Sequence, residues 1–524
     1  MSYISLKFCL LVVGTVLLYF IAPKKYRWTV LLAASLLFYF LNSKLLVLFP
    51  AAATLVAYIA ARAIDKNNQK FKLAKKALES KEERKAMKAS VKKKNRAILT
   101  VSVAAVLSFL IVLKYTPFFV ETIKSIAVFF KAEKNISVPK LLMPLGISYY
   151  TLSLIAYITD VYKGVVQAEK NYFQLLAFSC YFPHIVEGPI ASYKNLAPQI
   201  KEGQDFSYDR LINSLLLLLY GLMKKLVLAD RLAIIANEVF DNPGVYGGVV
   251  SVLGIVSYTG YIYADFSGCI DIVSGVSEIF GIKLAENFRQ PFFSRSIQEF
   301  WRRWHITLGE WLKNYIFYPI SLSASVKKLT EKLRLKKHIS EYYAMTVPML
   351  WSLLFVWLGN GFWHGASWKY VVYGLYYYVI IMLGQLLEPL FQKLPFDREK
   401  KPYKVFQIAR TFVLVCLGLT LFRANSISDM FKILGSLSHM TAFSEFYGAI
   451  NSNISILDFA VIAFACAVIF FVSFNKEREN DLRDKLSGKP VARWLVCTAF
   501  VIFILLLGVY GSHYTTQPFI YGQF

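Results

Sequence analysis

Cysteine and histidine are scarce in this chain, six of each in 524 residues. Cys9, Cys180, Cys269, Cys416, Cys466 and Cys497 stand far apart, in or beside apolar runs, and no Cys-x-x-Cys occurs. They read as small apolar side chains rather than as disulfides or metal ligands. No two histidines lie at metal-ligand spacing on one helix, and His-Glu-x-x-His is missing. No metal is therefore expected. Gly-x-Ser-x-Gly and glycine-rich phosphate loops are missing too, which argues against a serine hydrolase and an ATPase. Acidic residues are few, 33 Asp and Glu against 59 Lys and Arg. A soluble domain, a long-period repeat and a low-complexity linker are all lacking. The first apolar run has only Lys7 ahead of its middle and no small-x-small cleavage site behind it. It reads as a retained anchor rather than a signal peptide.

What fills the chain instead is hydrophobic sequence, 56% of all residues. Apolar runs at 6–21, 28–41, 99–113, 211–220, 405–421, 457–474 and 494–510 approach or reach the ~20 residues a bilayer span needs. The expected fold class is therefore an all-α polytopic membrane protein, with on the order of a dozen crossings and the lipid bilayer as its solvent. The formal net charge of +26 does not imply nucleic acid, because the basic residues cluster between the spans. Residues 65–96 hold thirteen Lys and Arg against four acids, residues 327–337 six against one, and residues 393–404 five against two. By the positive-inside rule these loops are expected in the cytoplasm, with Met1 outside. Drawing in an anionic donor is a second use such loops could have. Segment 65–96 itself reads as a helix that carries a span onward into solvent. Three parts of one integral membrane domain are expected: amino-terminal spans at 1–135, a core at 136–390, and carboxy-terminal spans at 391–524.

Chemistry concentrates between Glu286 and Lys369, which gathers His305, His364 and most of the tryptophans. Ser296-Ile297-Gln298-Glu299 has the spacing of a capping box, and no proline follows before Pro319. One helix is expected there, with Phe300, Trp304, Leu308, Trp311 and Leu312 on an apolar arc and Arg303, Glu310 and Lys313 opposite. His305 falls at the arc's edge. A histidine so placed can hydrogen-bond as part of the fold or face a substrate. His364 sits between Trp363 and Gly365, just after Gly359-Asn360-Gly361. Those glycines predict a broken helix or a close approach of another backbone, and an imidazole at a break within apolar sequence is a candidate site. Capping of the helix end is the structural alternative. Further interrupted segments hold His184 and Glu187 in Tyr181–Ile190, and Asp265 and Asp271 after Tyr263. The two aspartates suit either ligand orientation or helix–helix hydrogen bonding.

Read in order, MPLGISYYTLSLIAYITDVYKG, FPHIVEGPIASY, LLLYGLMKKLVLADR, YADFSGCIDIVSG, ENFRQPFFSRSIQEFWRRWHITLGEWLKNYIFYPI, GNGFWHGASW and the terminal PFIYGQF resemble the membrane-bound O-acyltransferases, in their bacterial alginate O-acetylation branch. The resemblance covers most of residues 140–375 and the extreme carboxy terminus. It implies a helical bundle around a central funnel or tunnel, with interfacial helices. It also implies a multi-pass protein of the bacterial cytoplasmic membrane that transfers an acyl group, acetyl by the branch, from a cytoplasmic thioester. The acceptor would be an extracytoplasmic polysaccharide or cell-wall polymer. His364, in Trp-His-Gly, and His305, in Trp-His-Ile-Thr-Leu, are the catalytic residues so implied, with Trp304, Asn360 and Trp363 lining the substrate. No bound cofactor is expected, and the donor would be acetyl-CoA or an acyl-carrier thioester. Implied partners are an SGNH-type acetyltransferase on the outer side and an acyl carrier protein inside. The alternatives are a teichoic-acid D-alanyl transferase, a transporter or flippase of a polysaccharide precursor, and a scaffold for a secreted acetyltransferase.

Overall fold

The computed structural model describes residues 2–77, 80–130, 137–139, 141–393, 397–451, 453–510 and 517–520. Among them the regular structure is helical, with one isolated antiparallel bridge between Phe288 and Trp304. Nine helical stretches among the described residues are long and apolar enough to cross a membrane, and Leu6–Ile21 is a shorter apolar helix. Three of the nine, Lys24–Lys76, Lys81–Phe129 and Tyr208–Asp241, contain more than one helix. An all-α polytopic protein is what hydropathy leads one to expect. The chain forms two compact units, one of Met1–Arg210 with Val276–Ala285, the other of Leu211–Gly275 with Glu286–Phe524.

In the first unit the basic segment is not one helix but two, α1 (Leu48–Ala77) and α2 (Lys81–Leu110). Ser80 restarts the chain, its hydroxyl accepting the Glu82 N–H at 3.2 Å, with Glu82 and Glu83 in the first turn. Carboxylates there favour the amide-rich helix end. Asn95 of α2 is buried and ties the pair together. Its Oδ1 accepts from Asn67 and its Nδ2 donates to Asn68 Oδ1, both at 2.8 Å. His184 and Glu187 are buried in this unit, in a turn between short helices.

The second unit contains most of α3 (Gly248–Ile279), then α4 (Ile297–Arg303), α5 (Ile306–Leu312), α6 (Glu341–His364), α7 (Trp368–Phe391), α8 (Lys401–Arg423) and α9 (Ile456–Glu477). The stretch Tyr208–Asp241 bears a π-helical turn at Lys224–Ala229 that puts two lysines inside. Lys224 pairs with Asp271, and Lys225 pairs with Asp230 at 2.9 Å and with Asp265 at 2.7 Å. Asp265 also accepts the Ile520 N–H at 2.8 Å. Asp265 and Asp271 thus fasten helices to one another, the structural side of the two uses open to them.

Two expectations for this unit are corrected. The single helix after Ser296 is broken at Trp304–His305, giving α4 and α5. Its start is as expected, since Ser296 Oγ accepts the Glu299 N–H at 3.1 Å, but Glu299 reaches back to the N–H of Arg295, at 2.9 Å. At the break, Arg289 N–H donates to Arg303 C=O at 2.9 Å and Ile306 N–H donates to Asn287 C=O at 3.0 Å. A passing extended segment has taken backbone groups that a continuous helix would have paired internally. Conversely, the break expected at Gly359-Asn360-Gly361 does not occur, and α6 continues to His364. The glycine there serves close approach, the other use open to it. A Cβ on Gly361 would collide with the Tyr370 carbonyl of α7, and one on Gly374 with the Trp357 carbonyl of α6. Small residues on both sides let the two backbones meet.

Candidate active site

The break in the helix sets His305. Its backbone lies in the left-handed region, φ 47° and ψ 52°, and its carbonyl starts α5 by accepting from Leu308 N–H at 3.1 Å. A side chain with a Cβ is uncommon there and costs about 1–2 kcal/mol. Neighbouring contacts hold it. Trp304 is buried against Phe288, Phe300 and Tyr263, with ring centroids 5.0, 5.4 and 6.1 Å away. Arg303 is clamped by Glu477, at 2.6 and 3.0 Å, and by Glu299 at 2.7 Å. The turn is thereby fixed from both faces.

The imidazole of His305 is 2% exposed rather than at an edge. Its Nδ1 lies 3.1 Å from Asn287 Oδ1, and its ring packs edge-on against Phe266 at 4.9 Å. Burial pushes its pKa down to about 3, so it is neutral near pH 7. Trp363 packs on it from α6, centroid to centroid 5.4 Å. The same indole is 5.0 Å from the ring of His364. His364, the last residue of α6, is 3% exposed and also meets Phe422 at 5.2 Å and Tyr373 at 5.7 Å. One turn earlier, Asn360 is buried and its Oδ1 has no hydrogen-bond partner among the described residues. A buried carbonyl left so costs about 1–3 kcal/mol, which a bound donor group would recover.

Four of the five residues singled out from sequence thus share one neighbourhood on two elements. His305 comes from the turn after α4, and Asn360, Trp363 and His364 from the end of α6. Trp304 is adjacent, but its described contacts are with aromatic rings that brace the turn. His184 and Glu187 belong to the other unit. Asn287 and Thr307 were not legible as site residues. No periodicity marks Asn287, and only the turn at His305 brings it there. Among the described residues no cluster of His, Cys, Asp and Glu is arranged to hold a metal ion. Two buried imidazoles in an aromatic, water-poor setting can take, pass or orient a proton.

Known proteins with related sequences carry this further. A model of the membrane-bound O-acyltransferase family matches residues 98–332, which include His305. A probable alginate O-acetylase of Azotobacter vinelandii is 30% identical over 421 residues, 80% of this chain and 74% of that protein. The chain belongs to the membrane-bound O-acyltransferase family. Its reaction class is accordingly O-acyl transfer, performed by a multi-pass membrane protein. Two further members of this acyltransferase family are similar over shorter or comparable spans. A peptidoglycan O-acetyltransferase of Helicobacter pylori is 28% identical, covering 74% of this chain and 75% of its own. A teichoic acid D-alanyltransferase of Bacillus subtilis is 28% identical, covering 53% of this chain and 68% of its own. The three differ in the polymers that their names carry: alginate, peptidoglycan and teichoic acid.

Proposed function

We propose that this acyltransferase takes an acetyl group from a cytoplasmic thioester, acetyl-CoA or an acyl-carrier thioester, and delivers it for O-acetylation of an extracytoplasmic polysaccharide or cell-wall polymer. The bacterial cytoplasmic membrane is its place, and an SGNH-type acetyltransferase on the outer side is the partner that would complete delivery. The observation that carries the reading is the pair of buried imidazoles that both pack on Trp363.

In the proposed step His364 is the general base. It takes the proton of the acceptor hydroxyl as that oxygen attacks the thioester carbonyl carbon. The C–O bond forms, the tetrahedral intermediate collapses, the C–S bond breaks, and the leaving thiolate recovers the proton from the imidazolium. His305 orients the substrate. The aromatic shell of Phe422, Tyr373 and Trp363 keeps bulk water from the thioester.

The test is acyl transfer from radiolabelled acetyl-CoA by purified His364→Ala protein with native far-UV circular dichroism. Loss of a general base lowers turnover by about 10² to 10⁴. Wild-type turnover in that variant would remove His364 from the mechanism and reopen the transport reading. Transfer of label only from a D-alanyl carrier protein would move the assignment to D-alanylation.

A further inference from the structure

The hydrogen bonds around Asn287 determine more than the position of its neighbour. Its Oδ1 faces three groups: the backbone N–H of Thr307 at 3.1 Å, the Thr307 hydroxyl at 2.9 Å, and Nδ1 of His305 at 3.1 Å. A backbone N–H can only donate, so the amide atom opposite it must be the oxygen. Turning the amide over would set an NH2 group against that N–H. The orientation is therefore forced, and the forced oxygen can only accept. The imidazole nitrogen facing it must carry a hydrogen. Since burial keeps the ring neutral, Nδ1 holds the single ring proton and Nε2 holds the lone pair.

The backbone repeats the constraint. Asn287 C=O accepts the Ile306 N–H at 3.0 Å, so three consecutive residues from the break onward, His305, Ile306 and Thr307, are referenced to the same asparagine. Asn287 is 1% exposed, and water does not compete for its oxygen.

We propose that Asn287 is a positioning residue for acyl transfer, fixing His305 as the Nδ1–H tautomer so that Nε2 meets the substrate as a hydrogen-bond acceptor. This rests on the reading of His305 as a working imidazole. It narrows that reading. A neutral ring whose only proton is committed to Asn287 does not donate to a thioester carbonyl or a developing oxyanion. His305 instead holds a substrate group that carries a hydrogen, leaving oxyanion stabilisation to other donors.

The other charged groups near this ring are engaged elsewhere. Glu286 is bound to Arg289 at 2.7 Å and Lys476 at 3.3 Å, and Arg303 to Glu299 and Glu477. On α3, Asp265 beside Phe266 is paired with Lys225. On α6, the His364 ring packs on Trp363.

Two measurements on the full-length protein in lipid test the proposal. In 15N-histidine solid-state NMR, with His305 assigned by difference from His305→Gln, the ring shows the Nδ1–H tautomer in wild type and a mixture in Asn287→Leu. An Nε2–H tautomer in wild type overturns the proposal. In the second, acyl transfer from acetyl-CoA is followed against pH. Asn287→Ala lowers kcat about tenfold to 10²-fold with little change in KM. Asn287→Asp keeps an acceptor opposite Nδ1 but adds a charge that favours the imidazolium. It retains most of kcat near pH 8, and its activity falls off at an acid-side pH at least one unit higher than wild type. An Asn287→Asp profile identical to wild type overturns the proposal. Full turnover by His305→Ala would instead defeat the underlying role for His305 while leaving the NMR result standing.

Discussion

Trp363 lies against His305 with ring centroids 5.4 Å apart, although the two residues come from different elements of the chain. Since the same indole adjoins His364, it sets the spacing of the two imidazoles. Trp363→Phe keeps an aromatic ring but shortens it. The expected result is a fall in turnover of up to about 10²-fold, from misplacement of one imidazole relative to the other. Steady-state kinetics on the purified variant checks this, and unchanged kcat would show that the spacing is set elsewhere.

The α6–α7 contact has no room for a methyl group. Gly361→Ala and Gly374→Ala are each expected to destabilise the protein by about 1–3 kcal/mol, because a backbone carbonyl on the facing helix must shift. Gly384 of α7 meets nothing within 4 Å of its would-be Cβ, so Gly384→Ala is the control and should be neutral or better. Thermal unfolding in detergent compares the three, and equal midpoints would contradict the close approach.

Trp304→Ala empties a packed site between Phe288, Phe300 and Tyr263. A loss of about 3–5 kcal/mol is expected. Activity per folded molecule should suffer as well, because Trp304 braces the left-handed turn that aims His305. A variant that unfolds at the wild-type midpoint would show the ring to be dispensable there.

Burial also ties stability to pH. The pKa of His305 is depressed to about 3 and that of His184 to about 4, both by burial, from an ordinary value of 6.5. Below about pH 6.5 the unfolded chain binds protons that the folded chain refuses, so stability falls with pH. It is full above 6.5 and is lost progressively as pH drops toward 3. His305→Gln removes one such group and should flatten the slope of unfolding midpoint against pH between 6.5 and 4. Parallel slopes would show that His305 is protonated in the fold.

No cysteine is assigned an acyl-carrying role. Cys180, Cys269, Cys416 and Cys497 are buried, and Cys416 receives the Thr259 hydroxyl at 3.4 Å. A chain with all six changed to Ala or Ser should turn over within about tenfold of wild type, whereas deleting a covalent nucleophile costs on the order of 10⁶. Activity assays and trapping of a hydroxylamine-labile adduct distinguish the two.

The spans were legible because a bilayer leaves little choice: apolar runs of sufficient length must be helical, and lysine-rich segments must lie outside them. The imidazoles were legible because histidine amid tryptophan and glycine is costly to place in lipid. The turn at His305 was not, because its cause is Asn287 and Arg289, which periodicity along residues 296–319 cannot register. Between a break and a close approach at Gly359-Asn360-Gly361 the sequence could not choose, for a similar reason. A glycine that permits a bend and one that permits a crossing look alike until Tyr370 and Gly374 are known to face them. Asn287 itself carries no local mark at all.

The contact at Gly361 and Gly374 has a mechanical consequence. With the two backbones touching, His364 on α6 and Tyr373 on α7 share one frame. The outward faces of these helices are apolar and exposed at Trp351, Phe355, Val379 and Leu383. Lateral pressure from lipid bears on that frame as a whole, carrying imidazole and ring together and leaving the distance between them insensitive to the thickness or composition of the surrounding bilayer.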